Sequence, residues 1–187
     1  TASTAYYTEG ATITESTPAF DQVTLSANTL AALVEFSRKM FVQGLPDVEQ
    51  IVRNDLARVI GLKIDETILN GSGSGPEPTG ILNTSGIGDV AMGTNGGTPN
   101  YTHLIDLIKE VAIDAADSNG AFIINPQTEA FLRKTPKVSS TDSVMILEGN
   151  ELANRPVIVS QNLPSNLTKG TGTDLSAILY GNLRDVL

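Results

Sequence analysis

The longest regular pattern of apolar positions in this chain lies between Pro46 and Asn70. Val48, Ile51, Val52, Leu56, Val59, Ile60, Ile64 and Ile68 recur at spacings of one, three and four, while Asp55, Arg58, Lys63, Glu66 and Thr67 lie off that stripe. The pattern predicts an amphipathic helix over residues 47–70, roughly 36 Å long at about 1.5 Å per residue. Pro46 suits a first helical turn, and Asp47 and Glu49 place negative charge near the positive end of the helix dipole. Asn70-Gly71 supplies a left-handed stop. A helix of that length with one apolar and one wet face reads as a spine against which a sheet packs.

Elsewhere the pattern is shorter-ranged. Residues 1–25 alternate through Tyr6-Tyr7, Ile13, Phe20, Val23 and Leu25, which favours extended strands broken at Pro18. Residues 28–43 fit either period. Leu30, Leu33, Val34 and Phe41 allow a helix; Leu30, Ala32, Val34 and Phe36 allow a strand followed by a short helix from Ser37. After the spine helix, nine of the 17 glycines fall within residues 71–97, a long irregular connection that marks a domain boundary. A second helix is expected over 101–117, with Leu104, Leu107, Ile108, Val111 and Ala115 on one face and Gly120 as its stop. Ala121 to Ile124 reads as a short buried strand, and Asn125-Pro126 as the cap of a helix reaching Lys134, with Glu129 in its first turn. Residues 135–150 are largely polar and are expected to be loose. Val157 to Val159 and Ala177 to Tyr180 are further strands, separated by a Gly/Thr/Asn-rich loop from Leu163 to Asp174. The whole is an α+β arrangement with no internal repeat.

Composition narrows the function more by exclusion than by assignment. The 187 residues are 40% hydrophobic, enough for a buried core, and no apolar run reaches the length of a membrane span. The N-terminus has neither a basic nor an apolar segment of the signal-peptide kind, and its start at Thr1 is expected to be a cut end. Cysteine is absent, which excludes disulfides, thiolate metal sites and a cysteine nucleophile. The net charge is −9, from 12 basic and 21 acidic residues, and neither half carries a basic block. Sequence-independent nucleic-acid binding needs phosphate-neutralising Lys and Arg, and this chain offers few.

The candidate chemistry is thin. Gly71-Ser72-Gly73-Ser74-Gly75 invites a phosphate-loop reading, but no Gly-Lys-Ser/Thr follows, the run succeeds a helix rather than a strand, and Pro76 and Pro78 remove amides that would bind the anion. A helix stop with a flexible connector is the expectation instead. His103 is the only histidine; with no Gly-x-Ser-x-Gly elbow and no cysteine it builds neither a triad nor a zinc site, and it reads as a surface residue near a helix start. Asp65 and Glu66 are adjacent and point apart on a helix. Asp114 with Asp117, and Asp106 with Glu110, share faces and could in principle do acid–base work or hold calcium, but each pair lies on the polar side of an amphipathic helix and reads as solvated. The sequons at Asn70, Asn83, Asn100 and Asn166 carry no weight without a secretory context. No catalytic residue, cofactor site or metal site is assigned, and the expectation is a non-enzymatic α+β protein.

The order of motifs goes further. Tyr6-Tyr-Thr-Glu-Gly followed by Thr17-Pro-Ala-Phe-Asp-Gln-Val-Thr-Leu25, Phe36-Ser-Arg-Lys-Met40, then the spine helix with Ile68-Leu-Asn-Gly-Ser-Gly73 and Pro78-Thr-Gly-Ile-Leu82, resembles the major capsid proteins of tailed (Caudovirales-type) phages with the Hong Kong 97-type fold. Ala121-Phe-Ile-Ile-Asn-Pro-Gln-Thr128, Asn154-Arg-Pro-Val157, Leu163-Pro164 and Ala177-Ile-Leu-Tyr-Gly-Asn182 continue the series, so the resemblance spans nearly the whole chain. It implies a strand over Thr29–Phe36 and a short helix after Ser37. It implies the descending strand of an extended loop at 1–14, a peripheral domain at 15–93 containing the spine helix 47–70, an axial domain at 94–180, and the start of a return to the peripheral domain at 181–187. The chain would then be a fragment of a longer subunit. Some members of that family form Lys–Asn isopeptide crosslinks between subunits; no residue here is assigned that role, because the segments that would supply it are unmatched.

What the resemblance implies for function is a structural shell protein of a phage or prophage virion, made in the bacterial cytoplasm. Copies would assemble as hexamers and pentamers into an icosahedral container for double-stranded DNA, with scaffold, portal and decoration proteins as further partners and neither a membrane nor a specific nucleic-acid site. The alternative within the fold is an encapsulin-like bacterial nanocompartment shell. The rival from another class is a small hydrolase or carbohydrate-binding module, which would show a concave site with convergent polar groups.

Overall fold

A computed structural model describes residues 6–10, 27–35, 37–43, 48–114, 119–138 and 144–183 of the chain. Six residues, Arg38–Gln43, form α1, followed by the long α2, Val48–Asn70. A single 3-10 turn covers Ile81–Asn83. Then come α3 (Tyr101–Ile113), β1 (Ala121–Ile124), α4 (Pro126–Leu132), β2 (Glu151–Leu152), β3 (Arg155–Val159), β4 (Leu167–Lys169), β5 (Gly172–Leu175) and β6 (Leu179–Gly181).

The sheet order is β2-β3-β1-β6, with β1 parallel to β3 (Phe122 opposite Val157) and antiparallel to β6 (Phe122 opposite Tyr180). A parallel neighbour requires a crossover, and α4 lies in it. Every residue of β1 is buried, as a central strand covered on both faces requires. Its side chains alternate between two clusters. Phe122 and Ile124 join Leu104 of α3, Leu132 of α4, Ile146, Leu147 and Leu152 in the main core. Ile123 points the other way and packs with Leu69 of α2 and Leu163. Asn125 ties the end of β1 down: its Oδ1 accepts from the Gln127 amide (2.9 Å), capping α4 ahead of Pro126, and its Nδ2 donates to the Leu163 carbonyl (2.7 Å).

Several expectations hold: the short helix after Ser37, the long helix to Asn70, the buried strand 121–124, the Asn125-Pro126 cap and a strand at 157–159; the strand expected over 177–180 forms at Leu179–Gly181, with 177–178 outside it. Others need correction. The spine is not backed by a sheet along its length. Of the expected stripe, Val48, Val52, Leu56 and Ile60 are half-buried, but Ile51, Val59, Ile64 and Ile68 are exposed, and Leu69, off the stripe, is the one buried residue of α2. Periodicity locates an apolar face but cannot say what covers it, and the described sheet meets only the last turn of the helix.

The strand expected over 29–36 is also not formed: residues 27–35 lie outside any helix or strand and are exposed, with no ladder to pair their backbone. Phe36 lies outside the described residues, as do 1–5 and 11–26 with the strands expected there; residues 6–10 form no strand and end in a turn at Glu9-Gly10. Residues 135–150 are not a loose polar loop in their described part. Ile146 and Leu147 are in the core, and the Ile146 amide donates to the Thr135 carbonyl (2.8 Å). The expected loop 163–174 contains the β4–β5 hairpin, pairing Leu167 with Leu175 and Lys169 with Gly172. Its Gly170 has φ +59°, a conformation that makes such a tight reversal cheap.

Candidate functional site

No constellation suited to catalysis forms among the described residues. His103 belongs to a helix cap: its amide donates to Asn100 Oδ1 (3.0 Å), and its Nδ1 accepts from the Asn100 amide (3.3 Å). This is a capping box in which histidine replaces the usual Glu or Gln. Sequence reasoning placed His103 at the helix start but did not see this role; the Asn100-x-x-His103 spacing is the signal that carries it. Asp106 and Glu110 lie half-buried on α3, and Glu110 pairs with Lys109 (3.3 Å). Asp114 is exposed at the end of α3, and Asp117 lies outside the described residues. Glu66 pairs with Lys63 (3.2 Å), while Asp65 borders a cleft and shares no partner with it. The described residues contain no group of three or more His, Cys, Asp or Glu arranged to hold a metal ion. No described helix is long and apolar enough to cross a membrane.

The Gly-rich stretch after α2 is not a flexible connector. The Gly71 amide donates to the Thr67 carbonyl (2.8 Å), ending the helix, and the Gly80 amide donates back to the Gly71 carbonyl (2.8 Å). Ser72 and Thr79 form an antiparallel bridge between them. The two ends approach so closely that a Cβ on Gly71 would lie 2.2 Å from the Pro78 carbonyl oxygen, and one on Gly80 would lie 2.3 Å from the Gly71 nitrogen. Asn83 Nδ2 donates to the Gly71 carbonyl (2.9 Å). Glu77 closes the loop with Oε2, which accepts from Ser72 Oγ (2.6 Å) and the Ser72 amide (3.3 Å). Those bonds, reinforced by Lys63 Nζ at 3.5 Å, hold the Glu77 carboxyl below the usual carboxylate range. Lys63 is held above its usual range, chiefly by its bond to Glu66.

Two surfaces are left. One is the exposed apolar surface of α2, with Ile51, Val59 and Leu62 on one flank of the helix and Ile64 and Ile68 on the other, where Ile68 lines a cleft of about 360 Å³ together with Ile81, Ile158 and Leu183. The other is a groove of about 1140 Å³ between residues 86–97, α3 and the β4–β5 hairpin. The Gly-rich strip is fastened to the hairpin there: Asn95 Oδ1 accepts from the Thr171 amide (3.1 Å), and a Cβ on Gly96 would lie 2.7 Å from Leu175. Its polar lining is dispersed, with no nucleophile–base pair.

Comparison with known proteins decides the class. A model of the phage capsid family matches residues 1–187. The chain belongs to the phage capsid family. A solved structure described as the capsid of a native GTA particle computed with C5 symmetry shares the fold of this capsid-family chain, with a TM-score of 0.69 at 20% sequence identity. The likeness covers 96% of this chain and 64% of that one, so the chain spans under two thirds of its structural neighbour's length. Among curated proteins none matches. The α+β phage capsid fold and the motif series running along the sequence therefore agree.

Proposed function

We propose that this chain is the shell-forming part of the major capsid protein of a tailed phage or prophage, and that its copies tile an icosahedral container around double-stranded DNA. The family match over the entire chain carries this reading. In it, residues 15–93 form a peripheral domain and 94–180 an axial domain, and copies meet as hexamers and pentamers. The protein is made in the host bacterial cytoplasm and ends in the virion, where scaffold, portal and decoration proteins are its further partners. A net charge of −9 suits an inner wall that leaves DNA free to be packed and released, because like charge disfavours tight binding of a polyanion. The exposed apolar side chains on the two flanks of α2 suit a subunit whose folding is completed by protein contacts.

Electron microscopy of the protein expressed from its whole gene tests the proposal. Closed icosahedral particles are expected. A protein that stays monomeric under every assembly condition overturns it, and particles that enclose a cargo enzyme instead of DNA would overturn the phage assignment while keeping the shell.

A further inference from the structure

We propose that Gly71–Gly80 is a locked joint that sets the direction of α2 relative to the sheet, and that the Glu77 carboxylate is its latch. The inference goes beyond the shell reading and concerns the folded chain itself.

The 23 residues of α2 make a rod of roughly 34 Å. Among the described residues, its only buried side chain is Leu69, in its last turn, which packs with Ile123 and Leu163. Among the described residues, the rod is therefore fastened to the sheet at its last turn. A rotation of about 10° at that end displaces the other by about 6 Å over a helix of this length. Beside the fastening lies the cleft of about 360 Å³ between Ile68 on the helix and Ile158 on β3, space into which the rod can move. A single small apolar cluster at one end holds the angle of so long a rod only weakly, so the polar loop that follows shares in setting it.

That loop is built as a joint. Its two glycine ends touch backbone to backbone, and the Ser72–Thr79 bridge holds its stem. Asn83, already on the sheet side, reaches back to the carbonyls of Gly71 (2.9 Å) and Asn70 (3.3 Å). Glu77 is the group that connects the loop to the rod proper. It grips Ser72 with one oxygen, and its other oxygen faces Lys63, seven residues back along α2, which Glu66 also holds. Removing the carboxylate frees the loop from Lys63 and takes from Ser72 the acceptor of its hydroxyl and amide, leaving the Gly71–Gly80 stem and Asn83 as the remaining polar ties beside Leu69. Hinge motion of this kind concentrates in a few residues at element ends.

A distance measurement inside one chain tests this without any need for assembly. The chain has no cysteine, so Asp55→Cys on α2 and Gln161→Cys beyond β3, both exposed, take nitroxide labels at those two sites alone. Double electron–electron resonance is expected to give a single narrow distance distribution with Glu77 present, and one broadened about twofold in Glu77→Ala, as a released hinge would give. Ser72→Ala and Lys63→Met, each removing one side of the latch, should broaden it less and serve as the test if Glu77→Ala lowers the folded yield. Equal widths in all four proteins, or a distribution already broad with Glu77 intact, would overturn the latch. Shell formation has no part in the readout, so failure of the capsid reading would leave this result unaffected.

Discussion

Leu69 of α2 and Ile123 of β1 occupy the same small apolar cluster, and through it the long helix meets the central strand of the sheet. Both are buried, while Ile60, on the stripe that defines the helix in the sequence, is only half-buried. The energetic weight of α2 therefore sits at its C-terminal end. Leu69→Ala is expected to cost about 2–4 kcal/mol, the range for emptying a buried leucine site. Ile60→Ala should cost about 1 kcal/mol or less in this chain, because a half-exposed side chain has less apolar surface to lose. Urea denaturation of the two variants checks the order, and an Ile60→Ala loss equal to that of Leu69→Ala would contradict it.

Three glycines of neighbouring sequence make a contrasting set. A Cβ at Gly71 or Gly80 would collide with backbone at 2.2 and 2.3 Å, and backbone cannot swing aside as a flexible side chain can. Gly71→Ala and Gly80→Ala are expected to destabilise by about 2 kcal/mol or more, the usual scale for forced backbone shifts. Gly61 lies within α2 with nothing near its Cβ position. Gly61→Ala should therefore stabilise by about 0.5–1 kcal/mol, as removal of a mid-helix glycine does. Opposite signs of the change in Tm for Gly61→Ala and Gly71→Ala are the result to look for.

The elements themselves were legible in the sequence wherever local chemistry decides them. The spacing of Val52, Leu56 and Ile60 marks a helix, Asn125-Pro126 marks a cap, and the uninterrupted Ala121-Phe-Ile-Ile124 marks a strand buried on both faces. What covers each face was not legible, because that depends on residues distant in sequence. Leu69 lies off the stripe, and Ile146 and Leu147 sit in a polar neighbourhood, yet all three are buried by partners a pattern window never sees. The same holds for the loop after α2. Glycine and serine read as flexibility, but the Glu77–Ser72 and Asn83–Gly71 bonds convert the run into a closed structure. The hairpin 167–175 was missed because its pairing is only three to four residues deep and its stem is polar.

Accessible backbone without packing partners is where proteases cut first. Residues 84–89, Thr84 to Asp89, are exposed throughout and lie between the 3-10 turn and the fastened stretch around Asn95. Limited proteolysis with a nonspecific enzyme is expected to cleave within 84–89 before it cleaves within 144–150, where Ile146 and Leu147 are buried. First cleavage at 144–150, mapped by mass spectrometry, would count against the packing described for that segment.

The latch around Glu77 also carries a pH signature whose sign can be worked out. Its carboxyl is held below the ordinary value by the Ser72 hydroxyl and amide first and by Lys63 after them. A carboxyl lowered on folding contributes stability that is fully present above the ordinary carboxylate range and is lost as pH falls through the lowered value. Lys63 is raised on folding, chiefly by Glu66, so its contribution is present below the ordinary lysine range and is lost as pH rises through the raised value. The latch is thus closed across roughly pH 5 to 10, between the ordinary carboxylate and lysine ranges. Both side chains are partly exposed and screened, so the effect is small and is measured as a difference between proteins. The Tm of the unsubstituted chain should exceed that of Glu77→Ala by a constant margin from pH 6 to pH 9. That margin should shrink as pH falls below the ordinary carboxylate range and through the lowered value, and should also narrow in high salt. A margin unchanged both by acid, down to the point where the chain itself unfolds, and by salt would mean that Glu77 acts through its bulk rather than its charge, and the Ser72–Glu77–Lys63 connection would lose its electrostatic basis.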